Sequence, residues 1–243
     1  MSTREPKEKG KAPHWGVWAA IVAAAVILGG IGLVFLLGMP DKDDTGETPP
    51  STSEPTTPTS EPSTDKCDVP GGDITAVPTD LEWDAADGIT WPVSPSLGPT
   101  SSEDGWPVCF SHSPVGVALA ASTVLLGTLD RDQAEIIEFF VADSPGKPVA
   151  LSEAGTSADV AQSIKDKGLQ IAGFRVDEYE ADRASVTLVF SQPNAQTGFV
   201  GLEYTFVWVD NDWRMRVLDD GSAGAGQAIP VNDGQFTKWT SNG

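Results

Sequence analysis

Reactive side chains are scarce in this chain. Its 243 residues include two histidines, two cysteines, two tyrosines and three methionines. The cysteines, Cys67 and Cys109, form no CxxC spacing and join no Cys/His cluster, which excludes the common zinc sites. Positive charge is also scarce, with 15 Lys and Arg against 35 Asp and Glu. Arg4, Lys7, Lys9 and Lys11 precede residue 15, opposed only by Glu5 and Glu8, a net of +2. The rest of the chain carries 11 basic and 33 acidic groups, a net of −22. A surface so negative repels phosphate backbones and argues against direct nucleic-acid binding.

What is present is strongly segmented. Residues 15–38 contain no charged side chain, and 24 residues exceed the ~20 needed for a helix to cross a bilayer. Trp15 and Trp18 suit an interfacial belt. The basic tail, residues 1–14, precedes the run, and Asp41, Asp43 and Asp44 follow it. The positive-inside rule therefore predicts a single-pass protein of the cell membrane, with a cytoplasmic N-terminus and the remainder outside. A cleaved signal peptide is the rival reading. Its apolar region is usually ~7–15 residues and ends in small residues, whereas this run is longer and ends Leu36-Leu37-Gly38-Met39-Pro40. Ala25, Gly29 and Gly32 share one helical stripe, where another helix, of a partner or of a homo-oligomer, could approach closely.

Residues 39–66 read as a disordered stalk. Residues 41–66 hold five prolines, eleven Ser/Thr, and no aromatic or large aliphatic residue. Such a segment cannot offset its ordering entropy by burial. Extended at about 3.1 Å per residue it reaches up to ~80 Å. Both cysteines lie beyond the run, on the side where thiols usually pair, and this predicts a Cys67–Cys109 disulfide.

Residues 67–107 are rich in Pro, Gly and Asp but carry Leu81, Trp83, Trp91 and Trp106. They read as an extended arm whose tryptophans anchor on the domain behind it, residues 108–243. There, Ser113-Pro114 is an N-cap followed by proline at the first helical position. Residues 115–129 are apolar on every side, the mark of a helix buried all round. Asp130 with Gln133 suggests a capping box for a second helix, and Thr156 with Asp159 one for a third over 158–167. Strands follow over 173–179, 185–191 and 201–209, with Gly173 at a bend. The last leads through Asp210-Asn211-Asp212, a hairpin turn signal, to Trp213, Met215 and Val217. Three helices and a curved four-stranded antiparallel sheet predict an α+β domain. The cone-shaped fold of nuclear transport factor two has this order, with its first helix inside the sheet.

No catalytic, cofactor or metal site emerges. His112 lies between Ser111 and Ser113, but adjacent residues do not make a triad, and a helix-start role is simpler. Asp130-Arg131-Asp132 lacks the glycine and glutamate of a calcium loop. Asp210-Asn211-Asp212 reads as a turn. Glu203 alternates away from Tyr204 and Phe206.

Three segments carry a resemblance. They are Trp91-Pro92-Val93-Ser94-Pro95-Ser96-Leu97-Gly98-Pro99-Thr100, then Cys109-Phe110-Ser111-His112-Ser113-Pro114-Val115-Gly116, and Trp208-Val209-Asp210-Asn211-Asp212-Trp213. Residues 88–240 resemble membrane-anchored proteins of actinobacterial integrative and conjugative elements. Those often have glycine where this chain has Asn211, and have Gly-Ala where it has Gly116-Val117. In overall order the chain also resembles the scaffold proteins of type IV secretion systems. The resemblance implies a non-enzymatic scaffold subunit of a conjugative DNA transfer apparatus, partnered by other membrane transfer proteins. The alternatives are an extracytoplasmic module binding a small ligand in the cone cavity and, behind it, a cavity enzyme.

Overall fold

A computed structural model describes residues 67–223 and 227–240. The tail, the apolar run with Ala25, Gly29 and Gly32, and the stalk lie outside the described residues. Among those described, no helix is long and apolar enough to cross a membrane.

Three helices and a four-stranded sheet must be corrected. The described residues form four helices, a six-stranded sheet and two separate two-stranded sheets, and the cone-fold assignment falls with that count. Residues 67–107 are not simply extended. Two hairpins form there, β1 (Glu82–Ala86) with β2 (Ile89–Val93), and β3 (Ser101–Glu103) with β4 (Trp106–Val108), the last ending one residue beyond the arm. Each turns through Asp-Gly with both residues at positive φ, Asp87-Gly88 and Asp104-Gly105, as a type I′ turn requires. Of the arm's tryptophans, Trp91 is buried and Trp106 stacks on Phe139, but Trp83 remains 45% exposed.

Helix α1 (Pro114–Leu126) is capped by Ser113, whose hydroxyl accepts the Gly116 amide at 3.1 Å. It lies between β2 on one side and the large sheet on the other, which is why twelve of its thirteen residues are buried. Helix α2 (Gln133–Phe140) is capped by Asp132 and not by Asp130. Gln133 turns away from the expected box and donates to Ser157 Oγ at 2.8 Å. Helix α3 (Lys147–Ser152) has no side-chain cap, and Pro148 in its first turn is its one start signal. Helix α4 (Ser157–Asp166) carries the Thr156/Asp159 box.

The large sheet runs β10-β5-β6-β7-β8, all antiparallel, with β9 sharing the outer edge of β7 with β8. Its strands are β5 (Gln170–Tyr179), β6 (Arg183–Ser191), β7 (Phe199–Val209), β8 (Asp212–Arg216), β9 (Ile229–Val231) and β10 (Thr237–Lys238). Ala184, Val186, Leu188 and Phe190 on β6 face α1 with Leu202, Tyr204 and Phe206 of β7. The opposite face is covered too. Gly173, Val189 and Gly201 stand in one cross-strand row. Between β9 and β10 the chain passes over this row as a strap. A Cβ on Gly173 would lie 2.1 Å from the Thr237 carbonyl oxygen and 2.5 Å from Phe236. One on Gly201 would lie 2.9 Å from Val231 Cγ2. The two glycines form the trough in which the strap sits. Phe236 packs on Phe199, and Trp239 returns round the edge to stack on Phe174 in the main core.

Candidate functional site

The three segments that carry the resemblance meet at one place. Cys109 sits at φ +68°, a left-handed conformation unusual for a residue with a side chain. This turn aims two successive amides the same way and makes a small anion-binding nest. The carboxylate of Asp212 fills it: Oδ2 accepts from Cys109 N–H at 2.9 Å, and Oδ1 from Phe110 N–H at 3.1 Å. Oδ1 also accepts the Trp213 amide at 3.0 Å. Asp212 is 2% exposed. Burial pushes its carboxyl above the usual range, while the amides of Cys109, Phe110 and Trp213 and the charge of Arg214 pull against that rise.

Trp213 continues the link from the hairpin. Its indole N–H donates to the Ser111 carbonyl at 3.0 Å. That carbonyl is crowded on its other flank, for a Cβ on Gly116 would lie 1.9 Å from it, so only glycine fits. The Ser111 hydroxyl donates to the Pro70 carbonyl and accepts from the Ser113 hydroxyl at 2.8 Å. His112 stacks on Trp208 and meets Trp213 edge-on. Its Nε2–H donates to the Ala181 carbonyl in the β5–β6 turn. The Gly-Pro stretch joins through Ser111 N–H to the Leu97 carbonyl at 2.8 Å, and Thr100 N–H to the Cys109 carbonyl at 3.2 Å. Cys109 is bonded to Cys67, with Cα atoms 5.1 Å apart.

A family model described as a domain of unknown function, DUF8175, matches residues 45–238. The chain belongs to that family. No curated protein and no solved structure matches it. The DUF8175 match takes in the whole junction, both cysteines and the strap.

A cavity of about 430 Å³ opens beside the junction, lined by the disulfide, Ser101, Asp104, Asp210, Asp212 and Arg214. Asp212 reaches it with both oxygens already bonded to amides. Arg214 leans over the Phe139 ring at 4.9 Å. Among the described residues, no group of three or more His, Cys, Asp or Glu side chains is placed to hold a metal. Glu203 is exposed on the strap side of the sheet, across from Thr187 and remote from the main core. The turn reading of Asp210-Asn211 agrees with their positive φ values. The sequence reading missed that the next residue, Asp212, is the buried centre of the junction. The Trp208-x4-Trp213 spacing with Asp212 directly before the second tryptophan was the available signal.

Proposed function

We propose that this protein is a non-enzymatic, membrane-anchored scaffold subunit of a conjugative DNA transfer apparatus, its outer domain contacting other membrane transfer proteins. One observation supports this above the others. The segments that carry the resemblance are engaged with one another: the Asp212 carboxylate with three amides, His112 with Trp208 and a carbonyl, Ser111 with Ser113 and Pro70. They build a rigid joint and offer no poised nucleophile or base to a substrate. The net charge of −22 beyond the apolar run favours protein partners over nucleic acid.

The ligand-binding alternative loses its original location. The space between α1 and the sheet is filled by Leu119, Tyr204 and Phe206, all fully buried. It would have to use the cavity beside the disulfide instead.

The test is transfer frequency of the parent element with the gene deleted. The scaffold reading expects transfer to collapse and full-length protein to restore it, with other transfer proteins co-purifying. Normal transfer without the gene would sink that reading. Restoration by a variant whose cavity side chains Ser101, Asp104 and Arg214 are changed to alanine would end the ligand-binding alternative.

A further inference from the structure

The β1–β2 hairpin pairs with no other strand among the described residues; β2 packs against α1, and the outer edge of β1 is open. Its two-residue turn makes Ala86 and Ile89 a hydrogen-bonded pair, so the alternation along the register fixes the rest. Asp84 with Trp91 and Glu82 with Val93 are then also bonded pairs. Trp83 with Pro92 and Ala85 with Thr90 are not. Pro92 fits this alternation, since a residue without an N–H belongs where no ladder bond is asked of it. The N–H and C=O groups of Trp83 and Ala85 therefore point outward. Among the described residues, no backbone bond to either residue closes that edge. All five residues of β1 are exposed.

The side chains along this edge are equally specific. Glu82 and Asp84 share one side; Trp83 and Ala85 share the other. Trp83 lies across from Pro92, which is buried, and still keeps 45% of its surface open. A large half-open aromatic beside a small alanine is a platform for a partner's apolar side chain. The two acids decide what can pair there. A second copy of β1 would set acid against acid, which cross-strand pairing disfavours. A strand with Lys or Arg at alternate positions would meet opposite charge at both.

We propose that β1 is a docking edge that takes an extended, basic segment of a partner protein as a third strand. Its alternate Lys or Arg side chains lie along Glu82 and Asp84, and an apolar residue covers Trp83. This names the partner chemistry of the scaffold reading and rests on it only for the partner being a protein. Main-chain bonds to Trp83 and Ala85 hold the strand, and the alternating charge selects it.

The experiment uses the full chain in nanodiscs and two ten-residue peptides, one alternating lysine with valine and one alternating glutamate with valine. The lysine peptide should bind at least tenfold more tightly and slow hydrogen exchange at the Trp83 and Ala85 amides. Ala85→Pro removes an outward donor and should weaken binding at least tenfold. Trp83→Ala, which leaves the backbone intact, should also weaken it. Glu82→Lys with Asp84→Lys should transfer preference to the glutamate peptide. Equal binding of both peptides, or no binding, overturns the proposal. So does lysine-peptide binding that leaves the two amides unprotected or ignores Ala85→Pro, since that is general attraction to an acidic surface. Protection of the same amides by concentrated protein alone would make the occupant a second copy and equally overturn it. Deletion and transfer test the scaffold reading separately, so either can fail without the other.

Discussion

His112 lies flat on Trp208, with ring centroids 4.0 Å apart and planes 7° from parallel. The first belongs to the turn before α1, the second to the end of β7. Through the Ala181 carbonyl the same imidazole also reaches the β5–β6 turn. Replacing His112 with alanine should lower stability by about 1 kcal/mol, the usual worth of one aromatic pair beyond burial. Phenylalanine should restore the stacking share and not the hydrogen bond. Urea midpoints of the two variants check this.

Asp212→Ala should cost about 3 kcal/mol, because it leaves the Cys109 and Phe110 amides buried without acceptors. A denaturation midpoint no lower than that of the native protein would refute the nest.

The same residue gives a pH signature. Its folded carboxyl titrates above the ordinary value of 3.8, so the folded state holds the proton longer than the unfolded chain. Its contribution to stability is full below that ordinary value and declines as pH rises through the elevated one. The margin of the native protein over Asp212→Asn should therefore be largest in acid and shrink towards neutrality. Equilibrium unfolding of both proteins across that range checks the sign.

Much of the framework was legible in the residues. Ser113-Pro114 and Thr156/Asp159 marked two helix starts, and the alternation of β6 and β7 placed their core faces. The Asp87-Gly88 and Asp104-Gly105 turns carried the strongest short-range hairpin signal, yet the prolines around them made the arm read as extended. Other features had little local signature. Helix α3 is six residues with only Pro148 to mark its start and no side-chain cap, and β9 and β10 exist because Gly201 and Gly173 leave room for them. The junction pairs residues 102 and 103 positions apart, and no period or spacing reveals that Asp212 reaches back to Cys109 and Phe110.

The Cys67–Cys109 bridge closes a loop of sequence separation 42. A loop of that length should contribute ~4 kcal/mol by restricting the unfolded chain. Replacing both cysteines with alanine should lower the unfolding midpoint accordingly. Mass analysis of unreduced protein should find one intramolecular bridge and no alkylatable thiol.

The strap depends on two missing side chains. Gly201→Val should push Val231 off the sheet at a cost of about 1–3 kcal/mol. Hydrogen exchange should then rise over residues 229–239 while α1 stays protected. Uniform loosening of the whole domain would contradict a separable strap.

Helix α1 is buried on every side by elements that flank it in space but lie on both sides of it in the chain. β2 is made before it; the sheet strands are made after. Tyr204, in the sheet core, follows Leu126 by 78 residues. At about 5–20 residues per second, synthesis leaves this apolar segment without its main cover for roughly 4–16 s. Throughout that interval the growing chain is a substrate for holding factors, and its yield is decided by whatever shelters α1 until the sheet arrives.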